Sequence, residues 1–208
     1  MRTNWSSGLL LGSLVACHLL AADRTGSGPG ITIRVVNSAK VPQAKLVQGE
    51  KQAAYILGKA GVSLTWQDCS AGSAGWQSGP CASRLGATDF WLHVATWKPA
   101  AAVGEMLGFT ALSRDTGTDD SVAGVYYPVV RKLAESFGAE ESEILGAALA
   151  HEIGHLLGVD HAPMGVMCSH FGQSHIVQAS AGELLFSAPQ ASQIRTEIGR
   201  RKAASEAL

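Results

Sequence analysis

The sequence predicts an α+β fold in a single domain: a mixed, twisted sheet with a helix packed on it, a second long helix carrying histidines, a tight turn, and a C-terminal helix. Three observations predict it. Short β-branched runs alternate apolar and polar residues through the middle of the chain. Apolar residues recur at helical spacing in three other stretches. One of these runs on into LAHEIGHLLGVDHAPMGVMC, residues 149–168, which sets three histidines and a glutamate in an otherwise apolar run.

The first strand is ITIRVVN, residues 31–37, with the alternation of a half-buried strand. Pro42 then opens a helix in which Leu46, Ala53, Ile56 and Leu57 recur until Gly61 stops it. VSLTWQD (62–68) and TDFWLHVAT (88–96) follow as strands, and EMLGFTALS (105–113) as a shorter one. After the polar turn RDTGTDDS, VAGVYYPVV (122–130) completes the order β-α-β-β-β-β. The histidine helix starts near Ser142. The last helix runs from Pro189 to about Ala203, marked by its leading proline and by Ile194 and Ile198 at i, i+4. No internal repeat or second-domain boundary is visible.

With 208 residues, 46% hydrophobic and 16% charged, and a formal net charge of -1, the chain is neither disordered nor built to coat a polyanion. No nucleic-acid partner is expected, because the sole basic run, Arg200, Arg201 and Lys202, reads as a solvated helix end. Residues 1–22 read as an export signal: Arg2, then the apolar GLLLGSLVACHLLAA, too short to span a membrane. Residues 23–30, DRTGSGPG, form a flexible linker, and residues 31–208 the folded domain. Two mature forms are open. LVAC resembles a bacterial lipobox and would anchor the protein through a lipid on Cys17, whereas cleavage near Ala21 or Ala22 would release a soluble, secreted or periplasmic form.

Export exposes cysteines to an oxidising compartment. Cys69 and Cys81 bracket a Gly/Ser-rich loop that cannot order itself by burial, so a disulfide is expected, with two free thiols as the alternative. Cys168 is then left as a small buried apolar residue.

On the histidine helix, Leu145, Leu149, Ile153 and Leu156 form one stripe, and His151 and His155, at i and i+4, stand together beside it. Glu140, Glu141 and Glu143 suit the helix start, and Gly158 suits its end. The bend at Gly158 matters because a straight helix would carry His161 away from the other two. Three neutral imidazoles and a water make the open tetrahedral set of a catalytic zinc. Glu152, next to the first ligand, is placed to take a proton from that water. Histidines falling there incidentally is the competing explanation. For the full H-E-x-x-H-x-x-G-x-x-H pattern chance accounts for on the order of one in a hundred thousand chains of this size.

HEIGHLLGVDH resembles the metzincin zinc metalloproteases, and within them most resembles the matrixin branch. The resemblance implies a zincin fold, one catalytic zinc on His151, His155 and His161, Glu152 as general base, and a methionine turn beneath the metal. GVM resembles the matrixin form of that turn, which selects Met167, with Met164 as the alternative. It also implies a protein or peptide substrate bound in extended form along the edge strand near residues 106–112, with Phe171 walling a pocket. Some matrixin features are missing. The strands near residues 106–113 and 122–130 lack the histidines and acids of a second zinc site, so none is expected. Asp115, Asp119 and Asp120 read as a solvated turn, and calcium is not expected. Ser169 stands where astacin-like relatives have a tyrosine ligand, Ala162 matches no branch marker, and no cysteine-switch segment is present. His18, His93, His170 and His175 are assigned to the signal, a strand and the post-turn loop.

The expected activity is zinc-dependent endopeptidase action by a monomer. Two other readings remain open: an exported zinc-binding module without proteolytic activity, and a hydrolase of non-protein amides.

Overall fold

The computed structural model describes Met1 and residues 28–96, 106–112 and 121–207. The expected export signal, Cys17, His18 and the acidic turn with Asp115, Asp119 and Asp120 lie outside the described residues.

Among the described residues five strands form one sheet: β1 (Gly30–Asn37), β2 (Ser63–Asp68), β3 (Asp89–Ala95), β4 (Gly108–Ala111) and β5 (Val122–Tyr126), in the order β2-β1-β3-β5-β4. The first four run parallel, and β4 pairs antiparallel with β5 at one edge. The alternation seen in the sequence is realised as two faces. Ile31, Ile33, Val35, Phe90, Leu92, Val94, Ala123 and Val125 are buried on one face. Among the described residues the sheet is thus mixed, as expected.

That face is covered by helix α1 (Gln43–Lys59) and by the histidine helix α4 (Glu141–Leu156), which pack closely on each other. Glycines set their separation. A Cβ on Gly146 would lie 2.7 Å from the Gly49 carbonyl oxygen and 2.4 Å from the Gln52 Cβ, so the two backbones approach as only glycine permits. The expected apolar stripe on α4 is in fact wider: Ile144, Gly146, Ala147, Ala148 and Ala150 are buried as well. A helix enclosed on nearly every side is held rigidly in place.

Four expectations need correction. VAGVYYPVV is not one strand: β5 ends at Tyr126 and helix α3 (Tyr127–Phe137) begins, with Pro128 in its first turn and Gly138 ending it at φ 63°. Proline favours a first helical turn because it needs no partner for an N–H there, and Tyr127, Val130 and Ala134 are buried at helical spacing. Helix α5 (Gln173–Ser180) stands where a post-turn loop is expected; its two buried residues, Ile176 and Ala179, give too short an apolar signal, and His175 sits in its first turn. A one-turn helix, α2 (Gly79–Ala82), lies in the cysteine loop. Finally, Arg201 is not solvated. It lies in α6 (Ala188–Glu206), 8% exposed, with its guanidinium 4.9 Å from the Phe90 ring centre and its Nε 2.8 Å from Glu197 Oε1.

The loop between β2 and β3 is closed by a disulfide between Cys69 and Cys81, with Cα atoms 5.5 Å apart. Behind it, Arg34, 2% exposed, reaches from β1 to the Ser83 and Arg84 carbonyls and to Asp89. That guanidinium fastens the loop's return to the sheet. No helix among the described residues is long and apolar enough to cross a membrane.

Candidate metal centre

Helix α4 supplies His151 and His155 one turn apart. It ends at Leu156, and Gly158 then takes φ +78°, the left-handed conformation that glycine adopts without a Cβ clash. The chain reverses there. Val159 N–H bonds back to the Gly154 carbonyl at 3.0 Å, which brings His161 round to face the other two imidazoles.

The three Nε2 atoms converge: 3.0 Å between His155 and His151, 3.1 Å between His155 and His161, and 3.3 Å between His151 and His161. Tetrahedral zinc with Zn–N bonds of about 2.0–2.1 Å needs nitrogens about 3.3 Å apart. The donor set and its spacing therefore fit the ion. Each helix imidazole is also fixed from behind, His151 Nδ1 lying 2.7 Å from the Val166 carbonyl oxygen and His155 Nδ1 2.7 Å from that of Val159. A carbonyl can only accept, so Nδ1 holds the proton and Nε2 presents its lone pair to the centre. Burial acts in the same direction. It lowers the His151 pKa to about 4 and that of His155 below its ordinary value, which favours neutral imidazole.

Met167 is fully buried, and its sulfur lies where a Cβ on Gly154 of α4 would be 2.6 Å away. Met164, the alternative, is 79% exposed. The turn containing Met167 is tied to its surroundings by Ala162 N–H to the Met167 carbonyl, 2.9 Å, and Val166 N–H to the Leu185 carbonyl, 3.1 Å. It is this turn that offers the Val166 carbonyl to His151.

Glu152 faces an open cleft of ≈ 450 Å³ that also exposes the three histidines, with Met106, Leu107, Phe109, Leu112 and Phe171 along its apolar walls. Thr110 of β4 donates a hydrogen bond of 2.8 Å to Glu152 Oε2. Burial pushes the Glu152 carboxyl up to about 7, while the Thr110 hydroxyl pulls it down. Thr110 is not recognisable from the sequence, since a residue 42 positions away carries no local sign of that contact. Cys168 also differs from expectation: it is half-buried and lines this cleft instead of sitting in the core. His93 lies on β3, and His170 hydrogen-bonds Ser169 Oγ. Among the described residues, His151, His155 and His161 are the one group of three or more such side chains arranged to hold a metal.

No family model matches the sequence, and no curated protein matches it. Solved structures do. Metalloproteinase-II from Bacteroides fragilis superposes with a TM-score of 0.53 at 11% identity, over 84% of this chain and 55% of that one. The fold is shared with a metalloproteinase. A zinc-dependent peptidase from Methanocorpusculum labreanum matches with a TM-score of 0.48 at 16% identity, over 78% of this chain and 99% of that one. Archaemetzincin from Methanopyrus kandleri gives 0.49 at 16%, over 84% and 98%. The chain thus spans about half the length of the Bacteroides protein, whose fold it shares.

Proposed function

We propose that the protein is an exported, monomeric zinc endopeptidase of the metzincin type, matrixin-like in its HEIGHLLGVDH segment, acting on protein or peptide substrates. The observation that carries this reading is the convergence of three Nε2 atoms within 3.3 Å of one another, in a cleft shared with Glu152. His151, His155 and His161 would hold one zinc, which supplies an activated water and a Lewis acid for the scissile carbonyl.

The remaining work falls to the chain itself. Glu152 takes a proton from the attacking water and passes it to the leaving amine. Its partly desolvated setting, which raises its pKa toward neutrality, suits a group that must both accept and return a proton. Strand β4, an edge strand of the sheet among the described residues, offers main-chain groups to an extended peptide, and Leu107, Leu112 and Phe171 give its side chains an apolar wall. Met167 supports the helix and the carbonyl that orients His151. No calcium enters this scheme.

The test is zinc content together with hydrolysis of a broad peptide library by the purified chain, beside its Glu152→Gln variant. One zinc per chain, with chelator-sensitive cleavage lost in the variant while zinc is retained, is the expected result. One zinc with no cleavage in either protein would replace this reading with a zinc-binding module or a hydrolase of non-protein amides.

A further inference from the structure

Glu152 is held from the strand that faces the cleft. Thr110 Oγ1 lies 2.8 Å from Glu152 Oε2 and 3.3 Å from the Glu152 main-chain oxygen; the shorter contact is the hydroxyl's donation. The other carboxylate oxygen lies against Gly108. A Cβ there would stand 2.5 Å from Oε1 and 2.3 Å from the Gly124 carbonyl oxygen, so the carboxylate occupies space that only glycine leaves. Strand β4 therefore shapes the seat of Glu152 at two alternate residues on its inner face.

The main chain of Thr110 faces elsewhere. In an antiparallel ladder, opposed residues alternate between pairs that exchange hydrogen bonds and pairs that do not. Tyr126 N–H bonds the Leu107 carbonyl at 2.8 Å, and the register then sets Phe109 opposite Gly124 and Thr110 opposite Ala123. Leu107 and Phe109 fall on bonding pairs and Thr110 on the alternate kind. Its N–H and C=O consequently point away from β5, toward the side of β4 on which no further strand pairs among the described residues.

We propose that Thr110 is a positioning residue that joins substrate binding to base alignment: its main-chain groups pair with an extended peptide while its hydroxyl holds Glu152. This rests on the peptidase reading of the site. Donation to Oε2 fixes the plane of the carboxylate and leaves Oε1 to accept the proton of the attacking water, which is then handed to the departing amine. A substrate drawn onto the edge at Thr110 thus meets a base oriented by the same residue.

The experiment compares the zinc-loaded full chain with Thr110→Val, which keeps the β-branched shape and strand preference, and with Thr110→Ser, which keeps the hydroxyl. Peptide hydrolysis is read as separate kcat and KM, and a crystal structure of each variant gives the orientation of the Glu152 carboxylate. Valine is expected to lower kcat about tenfold, with KM changed less than about twofold because the main-chain groups remain. Serine is expected to restore kcat to within about threefold of the natural protein. The carboxylate in the valine variant should turn or split between two orientations. The inference is overturned if valine leaves kcat within about twofold while Glu152→Gln is inactive, or if the carboxylate keeps its one orientation without the hydroxyl. If the natural protein cleaves nothing in the library, the peptidase reading and the substrate half of this inference fail together, and the carboxylate orientation still decides the Thr110 contact.

Discussion

His151 Nδ1 lies 2.7 Å from the main-chain oxygen of Val166, so the turn that carries Met167 orients an imidazole on a helix fifteen residues earlier. The fully buried Met167 side chain packs against Gly154 of α4 and so anchors this turn to the helix. Replacing Met167 by alanine is expected to cost about 2–5 kcal/mol in stability, as for a fully buried side chain truncated to a cavity. Zinc affinity should fall about 10–100-fold because the carbonyl behind His151 is no longer held. Urea unfolding and competition with a chelating dye measure the two effects. Met164→Ala, at an exposed site, should leave the unfolding midpoint nearly unchanged.

Zinc itself should act as part of the folded structure. Three imidazoles from α4 and the turn beyond Gly158 are brought together only in the native state, so an ion held by them would bind native chains in preference to unfolded ones. Free zinc at a hundred times its dissociation constant should add about 2.7 kcal/mol, and a chelator should remove it. His161→Ala leaves the two helical histidines in place. It should abolish most of the zinc-induced rise in melting temperature while changing the zinc-free value little, since His161 is exposed. An unchanged zinc response in that variant would count against a three-histidine site.

Much of the site was legible because its chemistry is local in sequence. His151, Glu152, His155, Gly158 and His161 sit within eleven consecutive residues, and helix periodicity with one left-handed glycine is enough to bring the imidazoles together. What was not legible depends on strand register. Thr110 reaches Glu152 because β4 lies antiparallel to β5 in one register, and a shift by one residue would turn its hydroxyl to the opposite face. The helix at Tyr127–Phe137 was hidden for a different reason. Val122 to Tyr126 is a true strand, and the apolar run continues past Pro128 without a polar break, although the proline and the Val130, Ala134 spacing mark the change. Arg201 looked like one member of a basic run, and only the packing of α6 over Phe90 separates it from exposed Arg200.

The disulfide should contribute the full amount expected of a loop of its size. Cys69 is fully buried at the end of β2, and its N–H bonds the Val35 carbonyl at 2.8 Å, so the loop is anchored to the sheet on that side. On the far side Arg34 holds the Ser83 and Arg84 carbonyls. Replacing both Cys69 and Cys81 by serine is expected to cost about 2–4 kcal/mol, read by urea unfolding, and the same loss should follow reduction of the natural protein. Zinc affinity should be unaffected, because the bridge lies outside the cleft. A parallel loss of zinc would show that the loop bears on the site.

Acid and alkaline stability should respond to different carboxylates. Burial, with Asp68 nearby, raises the Glu50 pKa from 4.5 to about 7. The folded state therefore holds the Glu50 proton over a range in which the unfolded state has lost it, and stability falls as pH rises from about 4.5 to 7. Glu141 has the opposite sign: hydrogen bonds from Lys45 and Tyr127 hold its carboxyl low, so its contribution is complete above pH 4.5 and is lost as pH drops through its folded value. Glu50→Gln removes the first effect and leaves the second. The variant should match the natural protein at pH 4 and exceed it at pH 8, by on the order of 1 kcal/mol because solvent still reaches the side chain and screens it. Urea midpoints for both proteins from pH 4 to 8 provide the measurement. A gap between the two that does not widen with pH would mean that Glu50 ionises in the folded chain as it does in the unfolded one.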